Sequence, residues 1–462
     1  MNEIDEDPKV LYKPVKSRFY ILLSFSFYTF MCGFQWNAWQ PIMRSIHILY
    51  KWDISQINIL NFIPSIIYCL CIIPFIHLWN KFGIASVYRT SASLFLIGAF
   101  IPLFPCSLDI QSILLQIGSV IKSFGALMSI TGAPVISAIW FPSRERSRAT
   151  ATLISLNSLG SAFSPFIGSL IVPDIKFNIS DTSNIISTVE IEKGMVQFLY
   201  LQAALAVICV TLIAIYFPAK PPIPPCRSSE SSLRIDYWSG MKSLSRNKQF
   251  WIVFVVNFIT FGVNSGVGAV FTSYILPLGM NQKSIGILNM VTTFVTFLAG
   301  IVGGWLGEYF KSKTIVLCSI FPTILMYLLC GFQTLKMINY SIISIYLLNV
   351  TLSFISNIVC PISFEMGCEA AFPTSEEVAT GALGFATNLG ISIFIAVTMI
   401  PNIGTFWIPF SYAGLTIFLL PLMFFYRNDA KRKECDINSE NPNSFESIQN
   451  DYSVEYPLLS EE

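Results

Sequence analysis

Residues 303–311 read Gly303-Gly304-Trp305-Leu306-Gly307-Glu308-Tyr309-Phe310-Lys311, and residues 79–83 read Trp79-Asn80-Lys81-Phe82-Gly83. Each is a short polar turn between long apolar runs, pairing a polar or acidic residue with a basic one beside glycine. Working outward from them, a helix that crosses a bilayer needs about 20 apolar residues. Such runs lie near 19–42, 54–78, 88–106, 110–139, 148–172, 196–217, 250–272, 284–306, 314–332, 342–368, 379–400 and 406–426. They predict twelve spans, and the two quoted turns lie six spans apart.

Composition agrees. Of 462 residues, 53% are hydrophobic and 12% charged, and mean hydropathy is +0.62. A soluble chain of this size needs about twice that charge to cover its surface. Lys+Arg 28 against Asp+Glu 27 lacks the basic excess of a nucleic-acid binder. The 39 Phe and 18 Tyr exclude a disordered chain. What is left is an all-α integral membrane protein whose apolar surface meets lipid.

Basic residues orient the spans. With the N-terminus in the cytosol, 21 of the 28 fall in cytosolic tails and loops, 6 fall on the opposite side, and Lys122 lies inside a span. The expected organisation is a cytosolic tail over 1–18, a six-helix bundle over 19–217, a proline-rich cytosolic linker over 218–249, a second bundle over 250–426 and a disordered cytosolic tail over 427–462. The linker opens with Pro218, Pro221, Pro222, Pro224 and Pro225, a polyproline II spacer by composition. The first span reads as an uncleaved signal anchor. Asn178 and Asn339 begin N-x-[ST] sequons on the non-cytosolic side and are candidate glycosylation sites. The cysteines sit mostly inside spans and imply no disulfide framework, and neither metal-ligand spacing nor a phosphate-cradling glycine loop is visible. No cofactor is expected.

The paired turns resemble the loop signature of the major facilitator superfamily. The first copy carries Asn80 where that family usually has Asp. The resemblance implies two six-helix bundles rocking about a midplane site. Gly300 and Gly304, Gly303 and Gly307 form overlapping GxxxG pairs, and Gly160, Gly168, Gly381, Gly384 and Gly390 punctuate other spans, as close helix packing needs.

Polar residues inside the spans nominate a site. Lys122 lies near the midplane, where a charge costs at least about 2.5–3.5 kcal/mol. It either meets an anionic substrate group, is neutral, or is a structurally satisfied lysine touching backbone carbonyls at a helix break. Glu365 and Glu369 share a helix face. They are proton-coupling candidates or members of a cytosolic ion network. His77, the intraspan histidine, is a third proton-coupling candidate with a structural alternative. Trp36 and Asn37 in span one, Asn157 and Ser158 in span five, Asn264 in span seven and Asn388 in span eleven are candidate substrate-binding residues. Amides of this kind face either a cavity or neighbouring helices as glue, and Trp36 is either a stacking platform or an interfacial belt residue.

Three stretches resemble solute carrier family 49. They are Gln35-Trp36-Asn37-Ala38-Trp39-Gln40-Pro41-Ile42, Arg146-Ser147-Arg148-Ala149-Thr150-Ala151-Thr152 and Phe364-Glu365-Met366-Gly367-Cys368-Glu369-Ala370-Ala371-Phe372-Pro373. The prolines of 218–225 resemble the member-four branch. That branch implies a proton-coupled lysosomal carrier of pyridoxine; the sister branch implies haem or choline transport. Trp36 matches the sister branch's substrate-site tryptophan, whereas Ser158 stands where that branch has glutamine. Tyr456 to Leu459 forms a tyrosine-x-x-hydrophobic sorting signal for a clathrin adaptor. The expectation is a monomeric secondary carrier of a small polar organic solute, coupled to protons, in the lysosomal membrane, with the plasma membrane as the alternative. A transport-inactive receptor or scaffold is the rival of a different class. An enzyme is not expected, because no nucleophile and base are paired.

Overall fold

The computed structural model describes residues 15–39, 42–52, 54–173, 183–223, 225, 237–270, 282–338, 341–398, 400, 404 and 406–427, with only the backbone described at some helix positions. Asn178, Asn339, Tyr456 and Leu459 lie outside the described residues. The described residues form helices and no strand.

The first bundle holds span one (Arg18–Trp36), span two (Ile54–Phe82), span three (Ile84–Phe100), span four (Leu108–Trp140), span five (Ser143–Ile171) and span six (Ser183–Ile215). The second holds span seven (Lys248–Ala269), span eight (Gln282–Tyr309), span nine (Ser312–Thr334), span ten (Ile342–Ala371), span eleven (Glu376–Thr398) and span twelve (Trp407–Phe425). We call the face where span one begins proximal and the opposite face distal.

Eleven of these helices are apolar and long enough to cross a bilayer; Arg18–Trp36 falls short by composition. The reason is its inward side: Ser24, Ser26 and Thr29 are buried, so span one spends polar residues on neighbours rather than on lipid. Span six begins earlier than its apolar run, extending to about 50 Å at 1.5 Å per residue. Glu190, Glu192 and Lys193 end the apolar pattern, but Ile191 and Met195, one turn apart, are buried with Trp39 and Phe198 and carry the helix on. A short helix, Met43–Tyr50, packs beside them at the distal face. Another, Tyr237–Arg246, lies within the stretch expected as linker.

Three spans are interrupted. Span ten breaks at Ile358, next to Asn357, whose carbonyl loses its helical donor because Pro361 has no N–H. Span four breaks at Leu127, whose carbonyl accepts from Thr131 Oγ1 at 2.9 Å. Span seven widens to a π-helix over Phe258–Val263. Breaks of this kind are tolerated in lipid only where neighbouring protein covers them, and all three lie beside the bundle interface.

Glycine sets how closely the bundles meet. Gly300 and Gly304 of span eight sit against Ser155 and Ala151 of span five, and Gly381 and Gly384 of span eleven against Ile76 and Tyr68 of span two. Gly303 instead faces the Ile358 carbonyl of span ten, so the two overlapping glycine pairs serve different faces of span eight. These interbundle contacts gather in the proximal half. There Arg148 of span five also pairs with Glu308 of span eight, which gives the acidic residue of the 303–311 turn a partner in the other bundle.

A Cβ at Gly304 would overlap that of Ala151, and overpacking of this sort costs about 1–3 kcal/mol. Gly304→Leu is expected to disfavour the proximally closed state by roughly tenfold or more. The check is thiol labelling of a cysteine placed at Asn289, which should slow from the distal side in the variant.

Candidate functional site

Between the bundles lies a cavity of about 220 Å³. Its position follows from the seal. Along span eight, Asn289, Thr293 and Thr296 precede the sealing glycines; along span five, Asn157, Ser158 and Ser161 follow Ala151 and Ser155. Span two brings Pro64 and Tyr68 before Ile76, and span eleven brings Thr387 and Asn388 after Gly384. Four spans therefore place the cavity on the distal side of the closed contact. Span one adds Trp36 and Asn37, and span seven adds Phe261 and Ser265. Among the described residues none of its lining is charged.

The wall is amide, hydroxyl and aromatic, and much of it is held by the spans' own backbones. Asn37 Nδ2 donates to the Ser161 carbonyl at 3.3 Å and Asn157 Nδ2 to the Thr29 carbonyl at 3.0 Å, tying span one to span five. Gly33 and Gly160 permit this crossing, since a Cβ on either would strike a carbonyl of the other helix. Asn388 Nδ2 donates to the Gly384 carbonyl at 2.9 Å, and Asn357 Nδ2 to that of Ser353 at 2.8 Å. Oxygen acceptors of these amides are thereby aimed, rather than free to rotate. The interrupted helices supply Leu127, Ser129 and Asn357 to the lining.

A second hollow of about 170 Å³ continues into the second bundle, sharing Asn289, Thr293, Thr296 and Asn357 with the first. Asn264 lines this hollow, where its Oδ1 accepts from the Tyr327 hydroxyl at 2.7 Å.

The remaining candidates are dispersed. Lys122 does not line the central cavity; it is buried inside the first bundle, where its Nζ donates to Gln202 Oε1 at 3.2 Å. Glu365 lies in the proximal seal and accepts from Thr150 Oγ1 at 3.1 Å, with Ser137 Oγ 2.6 Å from the same hydroxyl. Glu369 follows one turn nearer the proximal face on span ten. His77 is exposed on the outside of span two, its ring 6.0 Å from Trp238 of the linker helix. The structure thus brings together Trp36, Asn37, Asn157, Ser158 and Asn388, sets Asn264 in the adjoining hollow, and keeps the ionisable candidates out of the lining of both spaces.

Span eight's contribution was missed. Asn289, Thr292, Thr293 and Thr296 recur at i, i+3, i+4 and i+7, a polar stripe on one helix face inside an apolar run. Asn257, by contrast, is an amide that serves packing: its Nδ2 donates to the Leu383 carbonyl and to Thr387 Oγ1, both at 2.8 Å, and its Oδ1 accepts from Ser363 Oγ at 2.9 Å.

A model of the Major Facilitator Superfamily matches residues 21–395. The chain is 25% identical to the solute carrier family 49 member 4 homolog of Xenopus laevis, over 91% of this chain and 93% of that protein. It is also 25% identical to the human choline/ethanolamine transporter FLVCR2, over 87% of this chain and 75% of that one. Among solved structures, the Escherichia coli fucose:proton symporter FucP superposes with a TM-score of 0.68 at 15% identity, covering 89% of this chain and 100% of its own.

Asn257→Leu should leave Ser363 and Thr387 without their buried partner at a cost of about 2–4 kcal/mol. A melting temperature several degrees below wild type is expected in detergent, whereas Thr293→Val, on the cavity wall, should leave it unchanged.

Proposed function

The chain belongs to the major facilitator superfamily and is a membrane transporter of that type, and on that premise we propose that it moves a small polar organic solute through the central cavity, driven by protons. One observation carries this reading: a cavity of about 220 Å³ between the bundles, walled by oriented amides, hydroxyls and aromatic rings with no charge among its described lining. Such a wall recognises a neutral or weakly charged solute by hydrogen bonds and ring contact. A heteroaromatic alcohol such as pyridoxine fits that description. Trp36, Tyr68 or Phe261 would meet its ring, and Asn157, Asn289 and Asn388 its hydroxyls. Closure of the distal side and opening of the glycine seal would then carry the solute across.

Size argues against a tetrapyrrole, since the space is below the about 300–1,000 Å³ of sites for drug-sized ligands. A choline-like solute is the second reading. It is favoured by the aromatic side chains of the wall, which suit a quaternary ammonium, and by the likeness to the human choline/ethanolamine transporter FLVCR2.

Glu365 is the proton-coupling residue in this reading. It lies in the seal and accepts from a hydroxyl of the other bundle, so adding a proton changes the contact that must open. Glu369 lies on the same span and shares its proximal location. The excess of basic residues at the proximal side favours a cytosolic proximal face. The cavity then lies on the luminal side of the seal, in agreement with sequons at Asn178 and Asn339. The Tyr456–Leu459 signal favours lysosomal delivery by a clathrin adaptor, and a single chain suffices for the cavity.

In liposomes holding the purified protein, labelled pyridoxine is expected to accumulate when a pH gradient is imposed. Glu365→Gln should abolish the effect of the gradient while preserving solute exchange at equal pH. Choline flux without pyridoxine flux would establish the second reading; the absence of flux of either solute at every gradient overturns both.

A further inference from the structure

A small chamber of about 40 Å³ lies inside the first bundle, behind the central cavity. Lys122 reaches it from span four, Gln35 and Trp36 from span one, and Trp39 from the turn beyond span one; Ser119 and Ser123 lie on the same span as the lysine. Trp36 and Ser123 line both spaces. The lysine lies about 21 Å along span four from Leu108, too deep to reach either membrane face. Its stem is held by backbone, because Gly98 of span three approaches its Cγ closely enough that a Cβ there would overlap it.

The balance of partners around this ammonium is incomplete. It has three N–H donors and, among the described residues, one hydrogen bond, to Gln202 Oε1. Its other contact is the Trp39 ring, 5.6 Å from ammonium to centroid. Among the described residues no carboxylate pairs with it. Three further buried polar atoms around the same lysine have no partner among the described residues: Ser119 Oγ, Gln202 Nε2 and Gln35 Oε1. Ser119 and the Gln202 amide nitrogen offer donors, and the two ends of the Gln35 amide exchange on a half-turn of its terminal torsion, so that it too can present a donor. A buried cation beside unused donors and an empty space calls for an ion or water, and only an anion also answers the charge.

We infer that the Lys122 chamber binds a small monovalent anion of halide size, with Ser119 and Gln35 completing its shell and Gln202 holding the ammonium. Trp36 separates this ion from the solute, so occupancy fixes the indole that the central cavity presents. The carrier's stability therefore depends on the anion present, independently of which solute it moves. A halide and the carboxylate head of a small organic acid share this chemistry, and the test separates them.

The test is the melting temperature of the purified full-length protein at constant ionic strength and pH, in sodium gluconate with increasing chloride. A saturable rise of about 1–2 °C is expected. Formate in place of chloride distinguishes the sources: a rise with chloride alone assigns a halide site, and an equal rise with formate extends it to carboxylates. Lys122→Met, which keeps the buried volume and removes the charge, should melt at the same temperature in every salt. Should that variant not fold, Ser119→Ala and Gln202→Leu serve instead, each requiring at least about tenfold more chloride for the half-maximal rise. Identical melting of wild type in gluconate, chloride and formate overturns the inference and leaves water as the occupant.

Discussion

The architecture depends on the contact between span five and span eight, where glycine on one helix lets it pack directly against small side chains of a helix in the other bundle. Gly300 meets Ser155 and Gly304 meets Ala151; spans eleven and two repeat the device through Gly384 and Tyr68. Because lipid offers no hydrophobic drive for helices to associate, close packing of this kind carries the association. Once it closes the proximal half, the same four helices diverge beyond it, and the space they leave is the cavity. Thr293, Asn157, Pro64 and Asn388 line that cavity because each lies beyond its helix's sealing residue.

Charge is managed by segregation. The cavity wall presents neutral dipoles, most of them anchored to a carbonyl one turn back or on the adjoining span. Ionisable groups lie elsewhere: Glu365 and Glu308 in the seal, Lys122 behind Trp36. The neutral wall and the ionisable groups thus occupy separate parts of the protein.

Twelve apolar runs and two matching turns were enough to read the helical class and the twofold plan, because exclusion of backbone from lipid leaves few alternatives. Individual placements were less legible. Depth along a span could be counted for Lys122, but the direction it faces depends on the close approach of Gly98, which no single-span pattern records. His77 counted as intraspan by position, yet it faces outward toward Trp238. Arg18–Trp36 looked like an ordinary apolar run, although Ser24, Ser26 and Thr29 make it a helix built for protein neighbours. The polar stripe from Asn289 to Thr296 was legible in principle: its 3.6-residue period was present, but hidden among residues of middling polarity.

The glycine seal has a mechanical corollary. Dispersion forces between touching atoms lose a quarter to a half of their strength over the first ångström of separation, whereas attraction between charges persists over about a Debye length. An interface built mainly of the former, with the solvent-exposed Arg148 pairing with Glu308 at its rim, holds firmly when shut and exerts almost no pull once parted. Shut and parted are therefore discrete wells rather than ends of a continuous stretch. The depth of the shut well follows the fit of surfaces and the lateral pressure of the bilayer much more than the ionic strength of either compartment.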